Sequence, residues 1–172
     1  MGVIMKIRIL LALLLLMPGV SFAGVNFYMK IPDIPGESKN ADHEGEIDVY
    51  GISWSMSQSG RLSCLEDMEV NKLVDLSTPY LFLAQSTGRA FDEVVIMARK
   101  DSGDAHLDYL TITLSNVMIS SLSTGGDRGD NPLTEKVTLG FDKMTIKYVV
   151  QNEDGSGGDE HITEIYPGSK CK

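Results

Sequence analysis

Residues 109–148, YLTITLSNVMISSLSTGGDRGDNPLTEKVTLGFDKMTIKY, constrain the fold of this chain more than any other stretch. Leu110, Ile112 and Leu114 alternate with Tyr109, Thr111 and Thr113, the period-two pattern of a strand with one apolar and one hydroxyl-bearing face. A second β-rich arm follows the turn-forming segment Gly125–Pro132, so the stretch predicts a long antiparallel hairpin with a wide polar loop. In that second arm Val137, Leu139 and Phe141 share one parity, whereas Met144, Ile146, Tyr148 and Val150 share the other. An extra residue near Asp142, a β-bulge, is expected to restore the facing. Bulges bend long strands, as curvature round a small barrel or passage between packed sheets requires. The hairpin therefore predicts an all-β or mainly β domain.

The remaining elements fit that class. Val25, Phe27, Met29 and Ile31 form the apolar face of a first strand, and Pro32–Glu46 is expected to be a long exposed loop. Residues 46–57 resume the alternation with a phase change at Gly51. Gln58–Ser63 is read as a polar loop and Met68–Val74 as a weaker strand. Ser77-Thr78-Pro79 opens the one helix: Ser77 is the expected cap, Tyr80, Leu83 and Ala84 one face, and Gly88 the stop. Asp92–Lys100 is a strand with Val94, Ile96 and Ala98 on one side, and Asp101–Asp104 turns the chain into the hairpin. Asn152–Glu160 reads as a flexible acidic loop, and His161–Tyr166 as a short edge strand.

The N-terminus carries Lys6 and Arg8, an apolar run from Ile9 to Leu16, and Ser21-Phe22-Ala23, the pattern of a secretory signal peptide cleaved after Ala23. The expected division is a leader over residues 1–23 and one domain over residues 24–172. No membrane span is expected after cleavage, and the mature protein would be periplasmic or secreted. The mature part retains thirteen Lys and Arg against twenty-four Asp and Glu, a net charge of −11, which argues against nucleic-acid partners. Export would place Cys64 and Cys171 in an oxidising compartment, where a disulfide between them and two unlinked thiols are both compatible with the sequence.

Nothing in the residues assigns catalysis. His43, His106 and His161 lack ligand spacing and are read as solvated loop histidines, so no metal or cofactor site is expected. The acidic residues of 152–160 lack the spacing of a calcium loop. No Gly-x-Ser-x-Gly elbow is present, and turn chemistry accounts for the adhesion-like tripeptide Arg128-Gly129-Asp130.

Several stretches together resemble the haemolysin-coregulated protein (Hcp) family, the tube subunit of bacterial type VI secretion systems. They are FYMKIPDIPGESK (27–39), HEGEIDVYGISWSMSQSG (43–60), STPYLFLAQSTGRAFDEVVIMARK (77–100), and YLTITLSNVMISSLSTGG followed by PLTEKVTLGFDKMTIKY. The resemblance implies a compact β-barrel of two packed antiparallel sheets with one short α-helix, similar to phage tail-tube proteins. It implies no enzymatic activity, self-assembly into hexameric rings that stack into a tube, and partners among the type VI spike and effector proteins. Ile34 to Glu46 matches the family's protruding loop and Ser123 to Thr134 a loop at the ring rim. Ring contacts are thus expected at Ile34, Pro35, Gly36, Glu37 and Ser38 and at Gly125, Gly126 and Asp127. The leader departs from the family pattern, whose members are normally made without one. A monomeric exported β-domain acting as a binding or adhesion module is the alternative reading.

Overall fold

The structure is a computed structural model that describes residues 24–59, 62–102, 105–129 and 133–166. The expected leader, residues 1–23, lies outside them. In chain order the elements are β1 (Gly24–Lys30), β2 (Ile47–Val49), β3 (Gly51–Ser53), β4 (Met56–Ser59), β5 (Leu62–Leu65), β6 (Met68–Leu73), α1 (Thr78–Thr87), β7 (Ala90–Ser102), β8 (Ala105–Gly125), β9 (Thr134–Gly140), β10 (Lys143–Gln151) and β11 (Gly157–Ile165). The described residues are mainly β with one short helix, as the alternation predicts.

The 21-residue β8 is the spine. One edge pairs with β7 from Ala105 to Met118; the other pairs first with β10, over Leu110–Ser115, and then with β9, over Met118–Gly125. Nine strands thereby join one hydrogen-bonded sheet in the order β2-β1-β7-β8-β9-β6-β3, with β10 and β11 branching from β8. Among the described residues the ladders of the expected packed sheets are continuous, because β8 is long enough to run through both, and β4 pairs with β5 in a separate two-stranded sheet. The ladders form an open path rather than a closed ring. Its terminal strands β2 and β3 are separated by Tyr50 alone, whose N–H donates to the Asn71 carbonyl at 2.8 Å.

The bulge expected near Asp142 is replaced by a crease shared among strands. Buried positions change parity from Phe91 to Val94 on β7, from Leu114 to Val117 on β8, and from Leu139 to Met144 across the β9–β10 junction. Phe91 faces Val117 and Glu93 faces Ser115; likewise Met118 faces Gly140 and Ser115 faces Lys143. Each strand steps together with its neighbour, so no register is lost. Asn116 sits at the crease with φ 57°, its side-chain amide donating to Asp142 Oδ2 at 2.7 Å. The register shifts of β8 lie elsewhere, at Tyr109 opposite the Ala98/Arg99 step and at Ser120 opposite the Leu139/Thr138 step.

Three local expectations change. Gln58–Ser63 is not a plain loop, since β4 and β5 pair there as a hairpin. The acidic loop is shorter than expected because β11 starts at Gly157 and pairs with β10 from Met144 to Gln151. The helix starts where predicted and ends at Gly88, φ 63°, but Ser77 makes no side-chain cap: its hydroxyl donates to Asp75. Leu81 and Ala84 are the helix positions that reach the core, where they join Met29, Ile47, Met68, Val94, Ile112 and Leu139. Tyr80 and Leu83 point outward.

Candidate interaction surfaces

The loop from Pro32 to Glu46 is folded back on itself. An isolated bridge joins Ile31 to Ile34 across a turn with Asp33 at φ 62°. The Gly36 N–H donates to the Gly45 carbonyl at 2.7 Å, Gly45 to Ser38 at 3.1 Å, and Ser38 to Glu46 at 3.0 Å. Side chains alternate accordingly: Ile34, Gly36 and Ser38 are buried, and Pro35, Glu37 and Lys39 are exposed. Of the five residues expected to make ring contacts in this loop, three therefore pack against their own chain, and Pro35 and Glu37 face outward. Gly36 tolerates no side chain, because a Cβ there would lie 2.1 Å from the Glu46 carbonyl oxygen.

A polar cluster ties this loop to the sheet. His43, which sequence reading placed in solvent, is 3 % exposed and stacks on Tyr28 with ring centroids 4.1 Å apart. Its Nδ1 lies 2.9 Å from Glu46 Oε2 and its Nε2 3.1 Å from Asp108 Oδ1. Arg99 of β7 is also buried; it bridges Asp42 of the loop, Asp101 of β7 at 3.2 Å and Asp108 of β8 at 3.5 Å. Asp101 further accepts from Asn26 and meets His106 Nδ1, each at 2.7 Å. Burial acts to lift the Asp101 pKa, but hydrogen bonds from His106, Asn26 and Arg99 outweigh it and hold the carboxyl below its usual range. Burial would lower the Arg99 guanidinium, and its bonds to Asp42 and Asp101 raise it instead. The Tyr28 hydroxyl is pushed up by burial and by the Asp101 charge.

The second expected contact region follows β8. Gly125 ends the strand and pairs with Thr134, while Gly126 and Asp127 are exposed and Gly129 adopts φ 108°. Asp130 of the adhesion-like tripeptide lies outside the described residues. Beneath this tip a groove of about 790 Å³ is lined by Tyr50, Asn71, Leu73, Thr124, Thr134 and Lys136.

Two strand edges complete the exposed surface. Among the described residues β11 pairs only with β10, and Ile119–Gly125 of β8 pair only with β9. Nearly all of β11 is exposed, with Ile162 at 61 %. The outer side of α1 adds Tyr80, Phe82 and Leu83, the last 62 % exposed. None of the described cysteines is free, and Cys64 lies on β5; Cys171 lies outside the described residues. Among the described residues no set of His, Cys, Asp and Glu is arranged to hold a metal ion, and no helix is long and apolar enough to cross a membrane.

Residues 28–148, which include the loop, the crease and the β8 tip, match the family model described as type VI secretion system effector, Hcp. The chain is 40 % identical over 144 residues to protein hcp1 of Pseudomonas aeruginosa, an alignment covering 77 % of this chain and 88 % of that protein. The chain belongs to the Hcp family. Its fold is similar to that of Hcp1 from Salmonella typhimurium, with TM-score 0.72 and 25 % identity over 84 % of this chain and 95 % of that one. It is similar also to a type VI secretion system effector from Yersinia pestis, with TM-score 0.70 and 26 % identity over 81 % of this chain and 98 % of that one.

In this Hcp chain the cluster around His43 and Arg99 escaped sequence reading. Its members come from β1, the loop, β7 and β8, and no short motif joins them. A usable signal was present: Arg99 ends the apolar alternation of Val94–Ala98, and His43 precedes Glu46 by one turn of chain.

Proposed function

We propose that this chain is an exported, non-enzymatic Hcp subunit that assembles into hexameric rings, which stack into a tube and carry small type VI effectors.

 The single observation that carries this reading is the pair of strand edges without a second ladder partner among the described residues, β11 and Ile119–Gly125 of β8, which belong to different strands of one subunit. A long unprotected edge offers unpaired N–H and C=O groups to another chain. Because the two edges differ, contacts between copies are heterologous, and a rotation that closes makes a ring. In this reading the path from β2 to β3 is the wall of a β-barrel, Pro35 and Glu37 face the adjacent ring, and Gly126 and Asp127 lie at the rim. The spike and effector proteins of the secretion system are the further partners. No cofactor is required.

The test uses the mature chain, residues 24–172. Light scattering and negative-stain imaging at about 100 μM, far above the dissociation constant of a stable interface, are expected to give rings. Ile162→Glu, which puts a charge on the β11 edge, is expected to give monomers with the wild-type circular dichroism spectrum. Wild-type protein that stays monomeric overturns the reading. Export is tested separately by the intact mass of the periplasmic protein, expected to begin at Gly24.

A further inference from the structure

We propose that His43 is a proton-operated clasp that holds the Pro32–Glu46 loop to the sheet, closed when the imidazole is doubly protonated and loosened when it is neutral. The argument is one of donors and acceptors. Ionised carboxylates only accept hydrogen bonds, and a neutral imidazole has one donor and one acceptor nitrogen. Both nitrogens of His43 face carboxylate oxygens, Glu46 Oε2 at 2.9 Å and Asp108 Oδ1 at 3.1 Å. Satisfying both contacts needs a proton beyond those of a neutral ring and two carboxylates.

The surroundings make that proton consequential. The loop contributes Asp42 and Glu46, β7 contributes Arg99 and Asp101, β8 contributes Asp108 and His106, and β1 contributes Tyr28, which stacks on the ring and lies near Asn40 and Asp48. Four carboxylates, those of Asp42, Glu46, Asp101 and Asp108, thus share the Arg99 guanidinium and the histidines. At 3 % exposure His43 has little water to replace a lost partner. Removing the proton leaves either Glu46 without the His43 donor or Asp108 with only the Arg99 guanidinium at 3.5 Å, and sets two negative charges against a neutral ring.

Glu46 couples this event to the loop backbone. Its carbonyl accepts from Ser38, and its own N–H donates to the His43 carbonyl at 3.1 Å. Loss of the side-chain contact therefore loosens the turn that keeps Ile34, Gly36 and Ser38 inward. The link to assembly rests on the proposed role of this loop as the face turned to the next ring: stacks are tight with the clasp closed and weaken as pH rises.

The experiment is run on the mature full-length protein between about pH 5.5 and about pH 8.5, the range in which histidine charge changes. Nitrogen NMR of His43 is expected to show both ring nitrogens protonated at the acid end. Protection factors of the Ser38, Gly45 and Glu46 amides, corrected for intrinsic exchange, are expected to fall on the order of tenfold or more with rising pH, the loss of one hydrogen bond to a charged group. His43→Gln, which carries no titrating proton, is expected to show low protection that is flat with pH. A flat wild-type profile, or a neutral His43 throughout, overturns the clasp. Sedimentation of stacks over the same range reads the link to assembly. If no rings form at any pH while the protection factors still fall, the assembly reading fails and the clasp stands.

Discussion

Lys72 and Glu135 face one another across the β6–β9 ladder, with Nζ 2.9 Å from Oε2 and both side chains shielded from water. The remaining bonding capacity is filled: Lys72 also donates to Asp75 Oδ1 and the Leu73 carbonyl, each at 2.7 Å, while Glu135 accepts from Thr78 at 3.0 Å and Thr124 at 2.8 Å. This network pins the start of α1 to the β8–β9 tip. Removing Glu135 leaves the buried Lys72 with Asp75 as its remaining carboxylate and takes the acceptor from Thr78 and Thr124, so Glu135→Ala is expected to cost about 3 kcal/mol, the low end of the range for a broken buried pair. The paired replacement Lys72→Met with Glu135→Leu should recover much of that loss, because neither charge is then buried alone. Urea unfolding of the two variants measures the difference.

Gly36 is fixed by contact rather than by backbone angle. A Cβ would meet the Glu46 carbonyl at 2.1 Å, the carbonyl at 2.3 Å to its carbon, and Ile47 N at 2.5 Å, all backbone atoms that cannot swing aside. Gly36→Ala is expected to push the loop off β2 and to cost about 2 kcal/mol or more, the range of overpacked core sites. Hydrogen exchange should show the damage confined to the loop amides of Ser38, Gly45 and Glu46, with the β7–β8 ladder intact.

Asp101 gives the fold an acid-sensitive contribution. Burial raises its pKa, but hydrogen bonds from His106, Asn26 and Arg99 prevail, so the folded value lies below the unfolded one. For a carboxyl with a depressed folded pKa, the stability is fully present above the unfolded value, near pH 4, and is lost as pH falls through the folded value. Wild type is therefore expected to lose stability below about pH 4 more steeply than Asp101→Asn, which has no proton to bind. Thermal unfolding at a series of acid pH values separates the two.

The parts of this fold legible in the sequence are those set by local periodicity. The alternation of Leu110, Ile112 and Leu114 locates β8, the Gly125–Pro132 segment marks its end, and Gly88 terminates α1 as expected. Parity changes were visible too, at Phe141–Met144, but one strand cannot reveal that its neighbours change parity at the same level. That is why a bulge was expected where a shared crease is found. The helix face was misjudged because Tyr80, Leu81, Phe82, Leu83 and Ala84 are all apolar, so periodicity offers no choice among faces. The buried His43 and Arg99 were missed for a related reason: their partners Asp42, Glu46, Asp101 and Asp108 come together through tertiary pairing of the loop, β7 and β8.

Cys64 sits on β5 opposite Ser57, in the small hairpin that follows β3. A bond to Cys171 would anchor the C-terminal end of the chain to that hairpin. The non-reduced mature protein is expected to be lighter than the reduced protein by two hydrogens, and Cys64→Ser to abolish the difference. Closing a loop of this length contributes on the order of 5 kcal/mol in the chain-entropy account. Reduction should accordingly lower the urea midpoint of wild type and leave that of Cys64→Ser unchanged.

Asn116 separates backbone from side-chain effects at the crease. Its φ of 57° belongs to the left-handed region, and its amide holds Asp142 at 2.7 Å while the Asp142 N–H donates to Ser115 at 3.0 Å. Asn116→Gly keeps the backbone freedom and loses only the side-chain bond, so it is expected to change stability by less than about 1 kcal/mol. Asn116→Val loses the bond and also forces a β-branched side chain into the left-handed region, adding about 1–2 kcal/mol. The gap between the two variants in urea unfolding measures the backbone component. If both unfold at the same midpoint, the crease is held by the paired apolar steps of β7, β8 and β10 and owes nothing to the conformation of Asn116.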